Sequence, residues 1–168
     1  EYNFDIIYNA EEDIEFTFNM ETGLEYQASS ENKLMSSYTN SMAMISQSVG
    51  NFYRQQSADT TALMTIFKTQ SETQTEFETI SEGTIASNFI KANRPYIPEE
   101  FEDLNTYVTN LKEHFFDHVD FNNNVLQSSN FLIERALNYV FGMMSNSNND
   151  IEIYKKNLDD IAAVMTEA

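Results

Sequence analysis

From Met35 onward the chain repeats large apolar residues at helical spacing. Met35, Tyr38, Met42, Ile45, Val49 and Phe52 follow one another at steps of 3, 4, 3, 4 and 3, which places them on one face of a helix. Leu63, Ile66, Phe77 and Ile80 continue the frame after polar Gln56 and Asp59 interrupt it. Asp59 ahead of Thr60 and Thr61 suits the cap of a second helix, the alternative being one long helix with a weak seam. Gly83 marks a stop, and a short helical piece runs to about Ala92.

Residues 93–98, Asn-Arg-Pro-Tyr-Ile-Pro, predict an interhelical loop, because Arg94 and Ile97 each precede a proline and are pushed out of the α region. Pro98 fits a first helical turn, with Glu99, Glu100, Glu102 and Asp103 set against the positive end of that helix. Phe101, Leu104, Val108, Leu111, Phe115 and Val119 would line its inner face, up to a break at Asp120–Asn124. Leu126, Ile133, Leu137, Val140, Phe141 and Met144 would line the next helix. A turn at residues 146–150, capped by Asn149 or Asp150, leads to a last helix packed through Ile151, Tyr154, Leu158, Ile161 and Met165.

The first 28 residues read differently. Ile14, Phe16, Phe18 and Met20 alternate with polar residues at the period of a half-buried strand, and Phe4, Ile6 and Tyr8 repeat that spacing upstream. A hairpin turning through Glu11, Glu12 and Asp13 accounts for both runs. Ile7, Ile14, Leu24 and Ala28 also fall in phase with the following heptad, so a helical start competes with the strand, which is the preferred reading. The expected fold is all-α: a single-domain antiparallel helical bundle over residues 1–168, of about five helices, with a short β-hairpin or a helix at residues 1–28. Four glycines and two prolines are too few for the frequent turns of an all-β fold.

Composition narrows function mainly by exclusion. The net charge of −18 repels phosphate backbones and anionic lipid headgroups, so neither nucleic acid nor an anionic membrane surface is an expected partner. Nine acids and no Lys or Arg lie within residues 1–31, half of that net charge. This segment, Glu11, Glu12, Asp13 and Glu15 above all, is the candidate docking surface for a basic partner; a solvated, solubilising face is the plainer alternative. From Leu34 to Ser71 the only charged residues are Arg54, Asp59 and Lys68. A neutral polar face on a helix suggests contact with another chain, or with a neighbouring helix of the same bundle. This second surface is the preferred mode of association.

Without cysteine there is no disulfide, no thiolate nucleophile and no Cys-based zinc site. His114 and His118, the only histidines, stand four apart on the predicted fourth helix, the spacing of a two-His metal pair. His114-Phe115-Phe116-Asp117-His118 resembles the His-x-x-Glu-His signature of inverted zinc peptidases, with Asp117 in the place of the general-base Glu. No third ligand accompanies the pair, and two histidines beside a packed stripe explain it as well. Leu111 and Phe115 stand where a di-iron bundle needs glutamates. Val125 and Ile151 stand where two EF-hand-like loops need glycine. Isolated glycines rule out a phosphate-cradling loop and a nucleophile elbow. No catalytic residue and no cofactor is therefore expected. Methionines such as Met42, Met44, Met143 and Met144 suit an adaptable apolar cavity, or simply fill gaps in the core.

The expected function is a non-enzymatic, secreted helical-bundle protein that binds a protein partner or a small apolar ligand, with self-association as a further option. The start at Glu1 and the lack of any Asn-x-Ser/Thr acceptor fit a processed, extracellular or extracytoplasmic chain, or an excised domain. Size, helices and lack of cysteine are also similar to the four-helix ligand-binding domains of chemoreceptors and sensor kinases, which would imply an extracytoplasmic sensor. A lipid-carrying bundle similar to the insect exchangeable apolipoproteins is a third class, although those are rich in Ala and Lys and this chain is not.

Overall fold

A computed structural model of the chain describes residues 5–143 and 150–167. It is mainly helical, with one small antiparallel sheet near the N-terminus, and it divides into two compact units, Glu1–Ile90 and Lys91–Ala168.

In the first unit, β1 (Phe16–Asn19) and β2 (Gly23–Tyr26) form a hairpin with Phe16 opposite Tyr26 and Phe18 opposite Leu24. The strand preference for this segment holds, but the chain turns at Met20–Thr22 rather than at Glu11–Asp13. The reason is local. Asn19 Oδ1 accepts from Glu21 N at 2.8 Å, and Gly23 takes the left-handed φ of +79° that closes a three-residue hairpin loop. Phe4 lies outside the described residues. Helix α1 (Ser30–Arg54) is capped by Ser29, and α2 (Thr60–Ile80) by Asp59, whose carboxylate accepts from Ala62 N at 3.0 Å. The two are therefore separate helices, broken at residues 55–59. They pack antiparallel, since Tyr38 near the start of α1 donates to Gln74 near the end of α2 at 2.9 Å.

The α1 stripe buries much as its spacing predicts: Tyr38, Met42, Val49 and Phe52 are buried, with Met35 and Ile45 packed at the margin. On α2 the inner line is Leu63, Phe67, Gln70 and Gln74, while Ile80 is exposed. Gln74 sits in the core because its amide is satisfied there. It accepts from Tyr38 and donates to Ile90 O at 2.9 Å and Glu78 Oε1 at 2.8 Å. Gly83 (φ +82°) turns the chain into α3 (Ala86–Ala92), whose Ala86 and Ile90 complete the core.

The second unit departs further from the sequence pattern. The loop after α3 extends to Asp103, and α4 (Leu104–Glu113) begins there rather than at Pro98. Asp103 decides this by accepting from Asn105 N, Thr106 N and the Thr106 hydroxyl at 2.9–3.1 Å, the geometry of an N-cap. The helix stops at Glu113, short of the expected Val119. Phe115 O, which a continuing helix would offer to Val119 N, instead accepts from Arg135 Nη2 at 2.8 Å, and Val119 N turns to Phe116 O. Asn123 caps the short α5 (Asn124–Gln127), and Ser128–Asn130 separate it from α6 (Phe131–Leu137), where one continuous helix was expected. A π-helical turn, Asn138–Gly142, follows, and α7 (Asp150–Glu167) closes the unit. Most of the predicted turn at residues 146–150, and Met144, lie outside the described residues. Tyr139, Val140 and Ile161 form the buried cluster, surrounded by Phe115, Phe116, Ala136, Met143 and Tyr154.

Candidate functional site

The acidic segment expected to dock a basic partner is partly committed inside its own unit. Glu12 Oε1 accepts from Ser30 N at 2.7 Å and Ser30 Oγ at 2.9 Å, so it caps the start of α1. These bonds, the Ser30 hydroxyl first, hold the Glu12 carboxyl below its usual range. Glu11, Asp13 and Glu15 remain exposed. Glu31 is buried and bridges two segments, accepting from Asn9 Nδ2 and from Ala86 N, both at 2.8 Å. Buried Asn32 imitates a strand neighbour by accepting from Ile7 N at 2.9 Å and donating to Ile7 O at 2.7 Å. These ties to the N-terminal residues have no periodic signature, and sequence reasoning missed them.

The histidine pair is not brought together as a helical i, i+4 pair. His114 is the C-cap of α4, and His118 lies in the turns beyond it. The His114 ring stacks on Tyr96 at 4.8 Å, nearly parallel, and its Nδ1 lies 2.6 Å from Asp117 Oδ2. Tyr96 donates to Glu102 Oε1 at 2.7 Å, and Asn110 Nδ2 donates to the same oxygen at 2.6 Å. Burial, then the bond to Glu102, raises the Tyr96 hydroxyl above its ordinary pKa. Among the described residues, no group of three or more His, Asp or Glu side chains could hold a metal ion.

Inside the second unit a second polar network links α4, the π turn and α7. Fully buried Asn157 donates to Tyr139 O at 3.3 Å and Val140 O at 3.1 Å, carbonyls of the π turn. Lys112 Nζ donates to Asn157 Oδ1 at 2.5 Å and to Met143 O at 3.4 Å, and sits over the Tyr139 ring. Burial, then the nearby Lys156, pushes the Lys112 ammonium below its ordinary pKa. Burial and the bond it donates to Asp160 raise the Tyr139 hydroxyl to about 12. These groups satisfy one another; the network joins elements of the core.

What the second unit offers outward is apolar. Phe101, Leu104 and Val108, then Ile133, Leu137 and Phe141, then Ile151, Leu158 and Met165 are all 46–66% exposed, although the spacing predicts each as inward. The cause differs between elements. The π turn shifts the helical phase, so Tyr139 and Val140 face the core and Phe141 does not. On α7 the buried edge is rotated toward Asn157, which must reach the π-turn carbonyls, and Ile151 and Leu158 are turned out. From Leu34 to Ser71, by contrast, Met44 is the large hydrophobic that stands exposed. Among the described methionines, Met42 belongs to the core of the first unit and Met143 borders that of the second. No described helix is long and apolar enough to cross a membrane.

Neither a protein-family model, nor a curated protein, nor a solved structure matches this chain.

Proposed function

We propose that this chain works by binding a protein partner, and that the apolar faces of its second unit make the contact. One observation carries the reading: large aliphatic and aromatic side chains at helical spacing stand exposed on α4, α6 with its π turn, and α7. Scattered exposed hydrophobics are ordinary on a monomer, whereas rows on helices mark interaction surfaces. On α7, Ile151 and Leu158 flank Tyr154 one turn away on either side, and Phe141 packs edge-on against Tyr154 at 5.4 Å. Leu137 continues the row one turn before Phe141, so these five residues make one apolar ridge. Tyr96, Glu102, Lys112 and Tyr139 spend hydrogen bonds on neighbouring side chains of the unit, which supports binding over catalysis at these groups.

A photo-crosslinking amino acid placed in turn at Leu137, Leu158, Thr39 and Gln47, in the protein's native setting, tests this reading. Adducts of a single partner should form at Leu137 and Leu158 and be absent at Thr39 and Gln47 on the outer face of α1. Adducts confined to α1 would assign the contact to the neutral polar face instead. No adduct at any position would refute a stable protein partner.

A further inference from the structure

The exposed faces of the second unit do not share one electrostatic setting. Around the ridge on α6 and α7, Glu134, Glu152 and Asp159 alternate with Lys155 and Lys156. At the start of α4 the charge has one sign. No Lys or Arg occurs between Arg94 and Lys112, while Glu99, Glu100, Glu102 and Asp103 lie together just ahead of the helix. Of these, Glu99, Glu100 and Asp103 are exposed. Asp103 stays ionised down to lower pH than usual, because Thr106 N and the Thr106 hydroxyl donate to it.

Beside this acidic cluster, Leu104 and Val108 stand one turn apart on α4 and are about half exposed, as is Phe101 before the helix. The neighbouring polar groups do not interrupt the apolar row. The Thr109 hydroxyl donates back to Asn105 O at 2.9 Å, and the Thr106 hydroxyl is held by Asp103, so neither needs a partner from outside. The surface is thus an apolar helix face with an anionic end.

Resting on the binding reading above, we infer that α4 receives a basic amphipathic helix of a partner protein. Its apolar residues would lie against Leu104 and Val108, and its Lys or Arg residues would meet Glu99, Glu100 and Asp103. Charge complementarity selects this occupant. A second copy carries the same net charge of −18, and an anionic lipid surface the same sign, so long-range repulsion disfavours both.

The probe is a fluorescein-labelled helical peptide of Leu and Lys with all its leucines on one face, titrated by anisotropy into the full chain. The control is a peptide of the same composition whose leucines are scattered round the helix. The ordered peptide should bind about tenfold more tightly than the control, and Leu104→Ser with Val108→Ser should remove that difference. Both side chains are half exposed, so the variant keeps its circular dichroism spectrum. Glu99→Gln with Glu100→Gln should lower affinity about threefold and flatten its dependence on salt. Equal binding of the two peptides, or undiminished binding to the Leu104/Val108 variant, overturns the inference. Loss of binding on Leu137→Ser with Leu158→Ser, and not on the α4 variant, overturns it while leaving the binding reading standing. Concentration-dependent dimerisation abolished by the α4 variant would replace the basic partner with a second copy.

Discussion

In the first unit, Leu63 and Phe67 are shut away from solvent on a helix of 21 residues; in the second, Leu104 and Val108 stand half exposed on a helix of ten. Both pairs sit at the same i, i+4 spacing, and Leu63, Leu104 and Val108 alike read as core from the sequence. The difference lies in helix length and interruption. Long, uninterrupted α1 and α2 can lay several turns of apolar residues against each other, so the α1 stripe buries nearly as written. The shorter helices of the second unit are re-phased by Asp103, Arg135 and the π turn. Aromatic rings, a lysine, an arginine and an asparagine share its interior with Leu126, Val140 and Ile161, and several other aliphatic residues are left outside. Equal spacing therefore implies equal burial only where the helix runs on and no buried polar group turns it, as Asn157 turns the 18-residue α7.

The most direct way to break this contrast is truncation. Leu63→Ala should destabilise the first unit by about 3 kcal/mol, while Leu104→Ala and Leu158→Ala should each cost within about 0.5 kcal/mol. Urea unfolding, with hydrogen exchange read separately on peptides of the two units, checks both. A loss of about 3 kcal/mol at Leu158 would mean that its face is packed in solution.

Asn157→Ala comes next. It should cost about 2 kcal/mol, because Tyr139 O and Val140 O lose their donor and Lys112 loses an acceptor in a buried setting. Faster exchange should be confined to α7 and the π turn. If exchange instead rises evenly through both units, the polar network is not what holds this unit together.

Capping should weigh on both sides. Asp59→Ala and Asp103→Ala each remove a side-chain acceptor from a helix start; Asp59→Ala should cost about 1 kcal/mol, and Asp103→Ala should lower stability in the same direction. The Asp103 variant should also let α4 fray or begin elsewhere, visible as a local change in exchange at Asn105 and Thr106.

The smallest effects are those of pH. Glu12 has a depressed folded pKa, so its contribution is present above its ordinary 4.5 and is lost as pH falls through the lower folded value. Glu12→Gln should therefore reduce the acid-side fall in melting temperature below pH 4.5, most clearly at the start of α1. Tyr139 behaves oppositely. Its folded pKa is raised to about 12, so its contribution is complete below pH 10 and lost as pH rises toward 12. Tyr139→Phe should flatten that alkaline loss in the second unit. An unchanged alkaline slope would show that the hydroxyl titrates as in the unfolded chain.

A good deal of this molecule is legible along the chain. The helical class, the α1 stripe, the cap at Asp59, the turn at Gly83, the loop at Pro95 and Pro98, and a strand at residues 16–19 all follow from local chemistry. Periodicity, capping and proline geometry act over a few residues and need no distant partner. Long-range contacts decided that Glu12 caps α1, that Glu31 is buried, and that His114 and His118 do not share a helix. They also decided which side of α4, α6 and α7 meets solvent. Each of these depends on a hydrogen bond between residues far apart in the chain: Arg135 to Phe115 O, Asn157 to the π-turn carbonyls, Asn32 to Ile7. A single buried polar group that must find its partner can rotate a helix by a fraction of a turn, and the apolar stripe turns with it.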